Sequence, residues 1–157
     1  MAYEGPIEKA VHRFKYEGWR RLSAPLAELL AERLVVEGLA ARCVVPVPLH
    51  PSRLRQRGFN QAELLAAELR ERLAVFEPVG KLVRTRPTPP QVGHDRLRRF
   101  DNVLNAFEWH GPALCGEAML VIDDVATTGA TLNACASALR AAGSGPVTGV
   151  SVARVTV

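Results

Sequence analysis

The apolar positions of this chain follow two rhythms that alternate along its length. Ile7, Ala10, Val11 and Phe14 stand at the i, i+3, i+4, i+7 spacing of one helix face, which predicts a short amphipathic helix at the start. Ser23 offers an N-cap, Pro25 suits a first turn, Leu26, Leu29, Leu30 and Leu34 form a stripe, and Gly38 supplies a stop. A second helix is expected there. The run "CVVPVPL" is short, β-branched and closed by prolines, as a buried strand would be, and "HPSRLRQRGF" behind it reads as a loop. Asn60 is placed to cap a third helix through about Leu73, with Ala62, Leu65, Leu69 and Leu73 on its apolar side. "KLVRT" and "AFEW" read as extended segments and "AMLVI" as a buried strand. Thr131 to Ala142 reads as an Ala-rich helix ended by Gly143, and "PVTGVSVARV" as a final strand.

Strands that alternate with helices, without the Asn-Gly or Asp-Gly pairs of tight hairpins, call for crossover connections. The expected fold class is therefore α/β, with a mainly parallel sheet and helices on both faces. From Arg86 to about Asn105 the segment "RPTPPQVGHDRLRRFDNVLN" keeps no period. A connection of that length inside a compact domain is characteristic of a lid, a binding loop or disorder. The 157 residues, 48% hydrophobic and 23% charged, suffice for one core and not comfortably for two, so 1–157 is read as a single domain.

Charge changes the picture only through its location. The net charge is a mild +4, but Val44 to Ala62 holds Arg53, Arg55 and Arg57 with no acid, and Arg84 to Arg99 holds five arginines against Asp95 alone. Those two stretches are suited to an anionic ligand or to nucleic acid. Cys43, Cys115 and Cys135 are far apart and odd in number, and are read as small buried hydrophobes of a reducing compartment. No run approaches the ~20 apolar residues of a membrane span, and the first residues lack a signal-peptide core. The expectation is a cytoplasmic protein without membrane insertion.

The most informative stretch is "VIDDVATTGATL", Val121 to Leu132. If "AMLVI" is a parallel strand, Asp123 and Asp124 stand at its carboxyl end, where open α/β sheets place ligands. A small loop follows with Thr127, Thr128, Gly129 and Thr131. Such a loop, opening a helix, combines hydroxyl donors with unpaired N–H groups suited to a phosphate. Nearby carboxylates would repel that phosphate unless they faced neutral hydroxyls or a cation. A ribose bearing a 5-phosphate has the required polarity, although a turn capped by Asp123 and Asp124 and followed by ordinary helix-start threonines would use the same residues.

The string resembles the phosphoribosyl pyrophosphate (PRPP) motif of type I phosphoribosyltransferases. The resemblance implies that Asp123 and Asp124 contact the ribose hydroxyls and that Ala126, Thr127, Thr128, Gly129, Ala130 and Thr131 wrap the 5-phosphate. "VPVPLHPSRLRQRGFNQAELLA" and "LVRTRPTPPQVGHDRLRRFDNVLNAF" are similar to the ComF family, which is associated with DNA uptake in natural transformation. That likeness runs from about Tyr3 to Val157. It implies a type I phosphoribosyltransferase-like fold with a flexible hood over about 86–105. Arg53, Arg57 and Gly58 fall on the pyrophosphate side, and Arg84, Gln91, Arg98, Arg99 and Asn102 are hood candidates. Family members often carry a zinc-ribbon with two cysteine pairs; none stands in this sequence and His12, His50, His94 and His110 are scattered, so no structural zinc is expected. Mg2+ is expected to arrive with PRPP, held by its oxygens and by water.

Two functions of different class follow. One is an enzyme that transfers phosphoribosyl from PRPP with release of pyrophosphate through an oxocarbenium-like transition state. No residue announces a general base, so positioning and charge would carry the catalysis. The alternative is a non-catalytic phosphoribosyl- or nucleotide-sensing adaptor that binds single-stranded DNA or DNA-uptake proteins through its arginine loops. Trp19, Trp109 and the phenylalanines are read as core, with Phe59 and Phe100, flanked by arginines, as the exceptions suited to base stacking.

Overall fold

The computed structural model describes residues 1–86 and 106–155. Helix α1, Gly5–Tyr16, buries Val11 and Phe14. A single 3-10 turn, Arg20–Leu22, leads into helix α2, Ser23–Val36. Ser23 is not the N-cap that its position suggested. The 3-10 turn already supplies helical backbone at Leu22, and the buried Ser23 hydroxyl instead donates to Glu68 Oε1 at 3.1 Å. Leu26, Leu30 and Leu34 are buried, whereas Leu29 is exposed at the edge of the stripe.

Strand β1, Cys43–Pro46, is followed by helix α3, Pro51–Arg57, where a loop was expected. The reason is local: Pro51 occupies the first turn, and His50 Nδ1 accepts from Ser52 N–H. Gly58 closes the helix at φ 76°, a backbone conformation that side chains with a β-carbon rarely adopt. Helix α4, Gln61–Leu73, starts as predicted, with the Asn60 side chain accepting from Ala62 N–H at 3.1 Å. Strands β2, Lys81–Arg84, and β3, Phe107–His110, pair antiparallel as a separate ribbon. Strand β4, Met119–Ala126, helix α5, Ala130–Ala141, and strand β5, Val147–Arg154, complete the described chain.

The main sheet is parallel with order β1-β4-β5. Helices α2 and α4 pack together and against the sheet, while α5 packs on β4, β5 and the ribbon. The fold is α/β with helices on both faces, as the alternating pattern predicted. The antiparallel ribbon lies outside that expectation because its strands are joined through a long segment rather than a hairpin turn. Both outer edges of the sheet are partly covered: Ala2 bridges Arg154 and Phe76 bridges Cys43. Such short contacts protect unpaired strand groups from other chains. One continuous core runs through these layers, with Phe14, Leu65, Leu69, Met119, Ile122 and Leu139 among its largest fully buried side chains.

Two smaller expectations change. Cys43 and Cys135 are buried as predicted, but Cys115 is exposed. It sits at φ 49° before Gly116 at φ 78°, in the turn that precedes β4 and not in the core. Phe76 is also exposed, at 62%. Among the described residues no helix is long and apolar enough to cross a membrane.

Candidate functional site

Strand β4 outruns β1. Their last paired residues are Pro46 and Ile122, so Asp123 to Ala126 are flanked by β5 alone, through Asp123↔Ser151, Val125↔Ala153 and Ala126↔Arg154. These residues mark the carboxyl edge of the sheet, the usual ligand position in open α/β folds. The acid pair stands at the carboxyl end of the strand, as expected, and within its last residues because β4 runs on to Ala126.

That placement separates the two carboxylates. Successive strand residues point to opposite faces. Asp123 shares its face with Val121, whose register partner Gly149 lies so close to α5 that a β-carbon there would meet Leu132 at 3.1 Å. Asp124 points the other way and forms an ion pair with Lys15 of α1, Nζ to Oδ1 2.9 Å, both side chains being largely buried. The pair remains connected through the backbone, since Asp123 Oδ1 accepts from Asp124 N–H at 2.8 Å. Burial, followed by the charge of Asp124, pushes the Asp123 carboxyl up to about 7, against the opposing pull of that N–H and of Lys15.

The small loop lies directly beyond. Thr127 is exposed, Thr128, Gly129 and Thr131 are half-buried, and Ala130 is buried where α5 begins. Gly129 takes φ 80° as the residue before the helix. The Thr128 hydroxyl accepts from Ala130 N–H at 3.3 Å, and Ala126 O accepts from Val155 N–H at 2.9 Å. The loop is thus tied at both ends and leads into the first turn of α5, where a helix leaves N–H groups without internal partners.

Cations approach from two other elements. Because α3 is helical, Arg53 and Arg57 stand at i, i+4 on one half-buried side, and Arg55 is exposed on another. Arg57 Nη1 donates to Gln61 Oε1 at 3.2 Å, and the buried Gln61 donates in turn to Phe14 O of α1 at 3.4 Å. Arg84, at the end of β2, is half-buried over the Phe107 ring at 5.4 Å. Its guanidinium is shifted below its ordinary range first by burial and then by Arg53, while Cys135 and Asp123 pull it back up. Arg84 is therefore within electrostatic reach of both Arg53 and Asp123, although the three come from separate elements.

The loop that carries α3 is itself pinned. Val47 N–H extends the β1–β4 ladder to Ile122 O at 2.8 Å, and Val47 O accepts from the Asn60 side chain at 3.0 Å. Asn60 thus caps α4 and fixes the path into α3 with one buried amide.

A cavity of about 440 Å3 lies between α1 and α3, lined by Lys15, Tyr16, Gly18, Arg53, Gln56 and Arg57. Three of the six lining residues are cationic. Lys15, Tyr16 and Gln56 were not singled out by the sequence reading; Lys15 stands more than a hundred residues before its partner Asp124, and only its place in the last turn of α1 could have hinted at a site. A second cavity of about 390 Å3 is lined by Cys43 and Met119 at the amino ends of β1 and β4, on the far edge from the carboxylates.

Of the predicted residues, Asp123, Asp124, Ala126 to Thr131, Arg53, Arg57, Gly58 and Arg84 are described, and all lie at the carboxyl edge or on the elements that border it. Gln91, Arg98, Arg99 and Asn102, the remaining hood candidates, and Phe100 lie outside the described residues. Phe59 is not a stacking platform: it is buried, with Phe14 6.1 Å away and the Arg20 guanidinium 4.7 Å from its ring centre.

An open parallel sheet whose carboxyl edge carries an acid pair and a hydroxyl–glycine loop has the architecture of type I phosphoribosyltransferase-like domains. The chain belongs to the ComF family. It is 34% identical over 139 residues to the DNA utilization protein YhgH of Escherichia coli, a match that covers 83% of this chain and 59% of that protein. Identity is 32% over 149 residues to competence protein F of Haemophilus influenzae, covering 90% and 65%. It is 31% over 154 residues to competence protein ComFC of Streptococcus pneumoniae, covering 98% and 66%. The chain therefore spans about 59 to 66% of the length of these relatives. No protein-family model matches it.

Proposed function

We propose that this chain binds PRPP at the carboxyl edge of its sheet and transfers the phosphoribosyl group with release of pyrophosphate, in a cell's handling of DNA taken up during competence. The carrying observation is that Asp123 and Asp124 stand at the carboxyl end of β4, directly before the Ala126 to Thr131 loop that opens α5, with Arg84 within electrostatic reach of Asp123. In this reading the loop and the first turn of α5 hold the 5-phosphate, and the carboxylate pair serves the ribose hydroxyls. Arg53 and Arg57 take the pyrophosphate, with Gly58 giving α3 its turn. Arg84, a hood candidate at the end of β2, lies within electrostatic reach of Asp123.

In this reading Mg2+ enters with the ligand, held by its oxygens and by water. Among the described residues no three His, Cys, Asp or Glu side chains gather, and Asp124 is already engaged by Lys15. Mg2+ bound to pyrophosphate and sugar oxygens would neutralise charge on the leaving group. The chain's own part is to orient the sugar, to offer cations where negative charge develops and to limit water. The link to DNA uptake rests on the names of the relatives, two of which are competence proteins.

Calorimetric titration with PRPP, with and without Mg2+, tests this reading against the Asp123→Asn, Asp124→Asn double variant. Saturable binding that requires the metal and the aspartates is expected, followed by pyrophosphate release once an acceptor amine or nucleobase is supplied. A folded wild-type protein that does not bind PRPP would end the proposal.

A second reading, a non-catalytic adaptor that binds single-stranded DNA, has its own supporting observation. Arg13 and Arg21 stand over the Trp19 ring at 4.8 and 4.9 Å, and Arg57 stands over Tyr16 at 5.4 Å. Alternating arginines and aromatic rings suit bases and phosphates together. Its test is salt: affinity should fall by about 0.7 log units per log unit of salt for each phosphate contacted. A flat response would exclude it.

A further inference from the structure

The sequence posed a problem that the fold answers. A phosphate-bearing ligand placed near two carboxylates needs a cation between them, and the stretch around Asp123 and Asp124 supplies none. Lys15 of α1 brings one to Asp124 from outside that stretch. It is half-buried at the end of α1, its Nζ is 2.9 Å from Asp124 Oδ1, and it also lines the α1–α3 cavity beside Arg53 and Arg57.

We propose that Lys15 is a positioning residue of the ligand site, shared between the Asp124 carboxylate and the anionic end of the ligand. The assignment rests on the phosphoribosyl reading above and divides the acid pair. Asp123 is left to the sugar hydroxyls directly, and Asp124 acts through the ammonium that it holds. An ammonium has three N–H donors. One is used on Asp124, which leaves others for an oxyanion in a cavity whose wall already carries two guanidinium groups. The aromatic and amide groups of Tyr16 and Gln56 complete that wall without adding negative charge.

The position of α1 supports a role beyond simple packing. The carbonyl of Phe14, next to Lys15, accepts from Gln61, and Gln61 accepts from Arg57. The same turn of helix is therefore tied to Asp124 directly and to Arg57 through Gln61. A purely structural ion pair would need only the first of these contacts.

The experiment compares PRPP, pyrophosphate and ribose 5-phosphate by calorimetry on the wild type, Lys15→Met and Lys15→Arg. Charged hydrogen bonds of this kind correspond to about a tenfold to hundredfold change in affinity. Lys15→Met is expected to lose that much for PRPP and pyrophosphate and far less for ribose 5-phosphate, with Lys15→Arg restoring part of it. Because Lys15→Met leaves Asp124 buried without its partner, melting and circular dichroism check the fold. If the single variant is unfolded, the Lys15→Met, Asp124→Asn variant, which removes both charges, is read in its place and should show the same loss for pyrophosphate. Unchanged pyrophosphate affinity, or equal loss for all three ligands, would overturn the assignment while leaving the PRPP site standing. A wild type that binds none of the three would instead sink the phosphoribosyl reading and this inference with it.

Discussion

Replacing Asn60 with alanine should destabilise the protein and loosen the approach to α3 at the same time. The Asn60 side chain is 3% exposed and makes two contacts, from Ala62 N–H at 3.1 Å and to Val47 O at 3.0 Å. Loss of an N-cap costs about 0.5–2 kcal/mol. A buried carbonyl left without its donor costs about 1–3 kcal/mol. The two share one side chain, so their joint loss is placed at about 2–4 kcal/mol, or a fall in Tm of roughly 5–15 °C for a domain of this size. Asn60→Ser separates the contributions, because serine keeps the cap and cannot reach Val47. It should recover about 1 kcal/mol relative to alanine. Urea denaturation with an unchanged slope is the assay, read as the shift in midpoint. A loss below about 1 kcal/mol for Asn60→Ala, or serine no better than alanine, would refute the account of this amide as a double tie.

Two further outcomes can be checked on the same material. The Asp123 carboxyl is raised in the folded protein from its usual value near 3.8 to about 7, so the folded state binds more protons than the unfolded chain across that interval. Its contribution must therefore make stability fall as pH rises from about 4 through about 7, and Asp123→Asn should remove that part of the slope in a pH series of urea midpoints; an unaltered slope would place the cause elsewhere. Of the three thiols, Cys115 is exposed and Cys43 and Cys135 are buried, and burial pushes the Cys43 and Cys135 thiols up as well. A thiol reagent should thus label one residue in the native protein and all three in denaturant, and fast labelling of Cys135 would contradict the packing of α5 on the sheet.

Much of the fold was present in the residue pattern because short-range physics governs it. Helix periodicity placed α1, α2 and α4, and Asn60 marked a cap that forms as expected. The unbroken apolar runs at Val44 and Leu120 marked strands that are buried on both sides, and the string from Asp123 to Thr131 marked the loop at the end of one of them. Errors arose where local signals were balanced by neighbours. The segment after β1 contains two prolines and several arginines, yet Pro51 and the His50 contact start a helix in it. Ser23 looked like a cap, but the preceding 3-10 turn made it an interior residue.

What sequence could determine by itself was the set of chemical groups and their order: an acid pair, a hydroxyl–glycine loop and two arginine-rich stretches. Tertiary structure decided how they are shared out. A strand alternates its side chains, so placing Asp123 and Asp124 inside β4 rather than after it sends them to opposite faces. One then meets Lys15 from the first helix, and the other lies within reach of Arg84 from β2. Contacts between residues so distant in the chain leave no periodic trace in it, because nothing local to Lys15 depends on where Asp124 will be. They exist only after the sheet and its covering helices have packed.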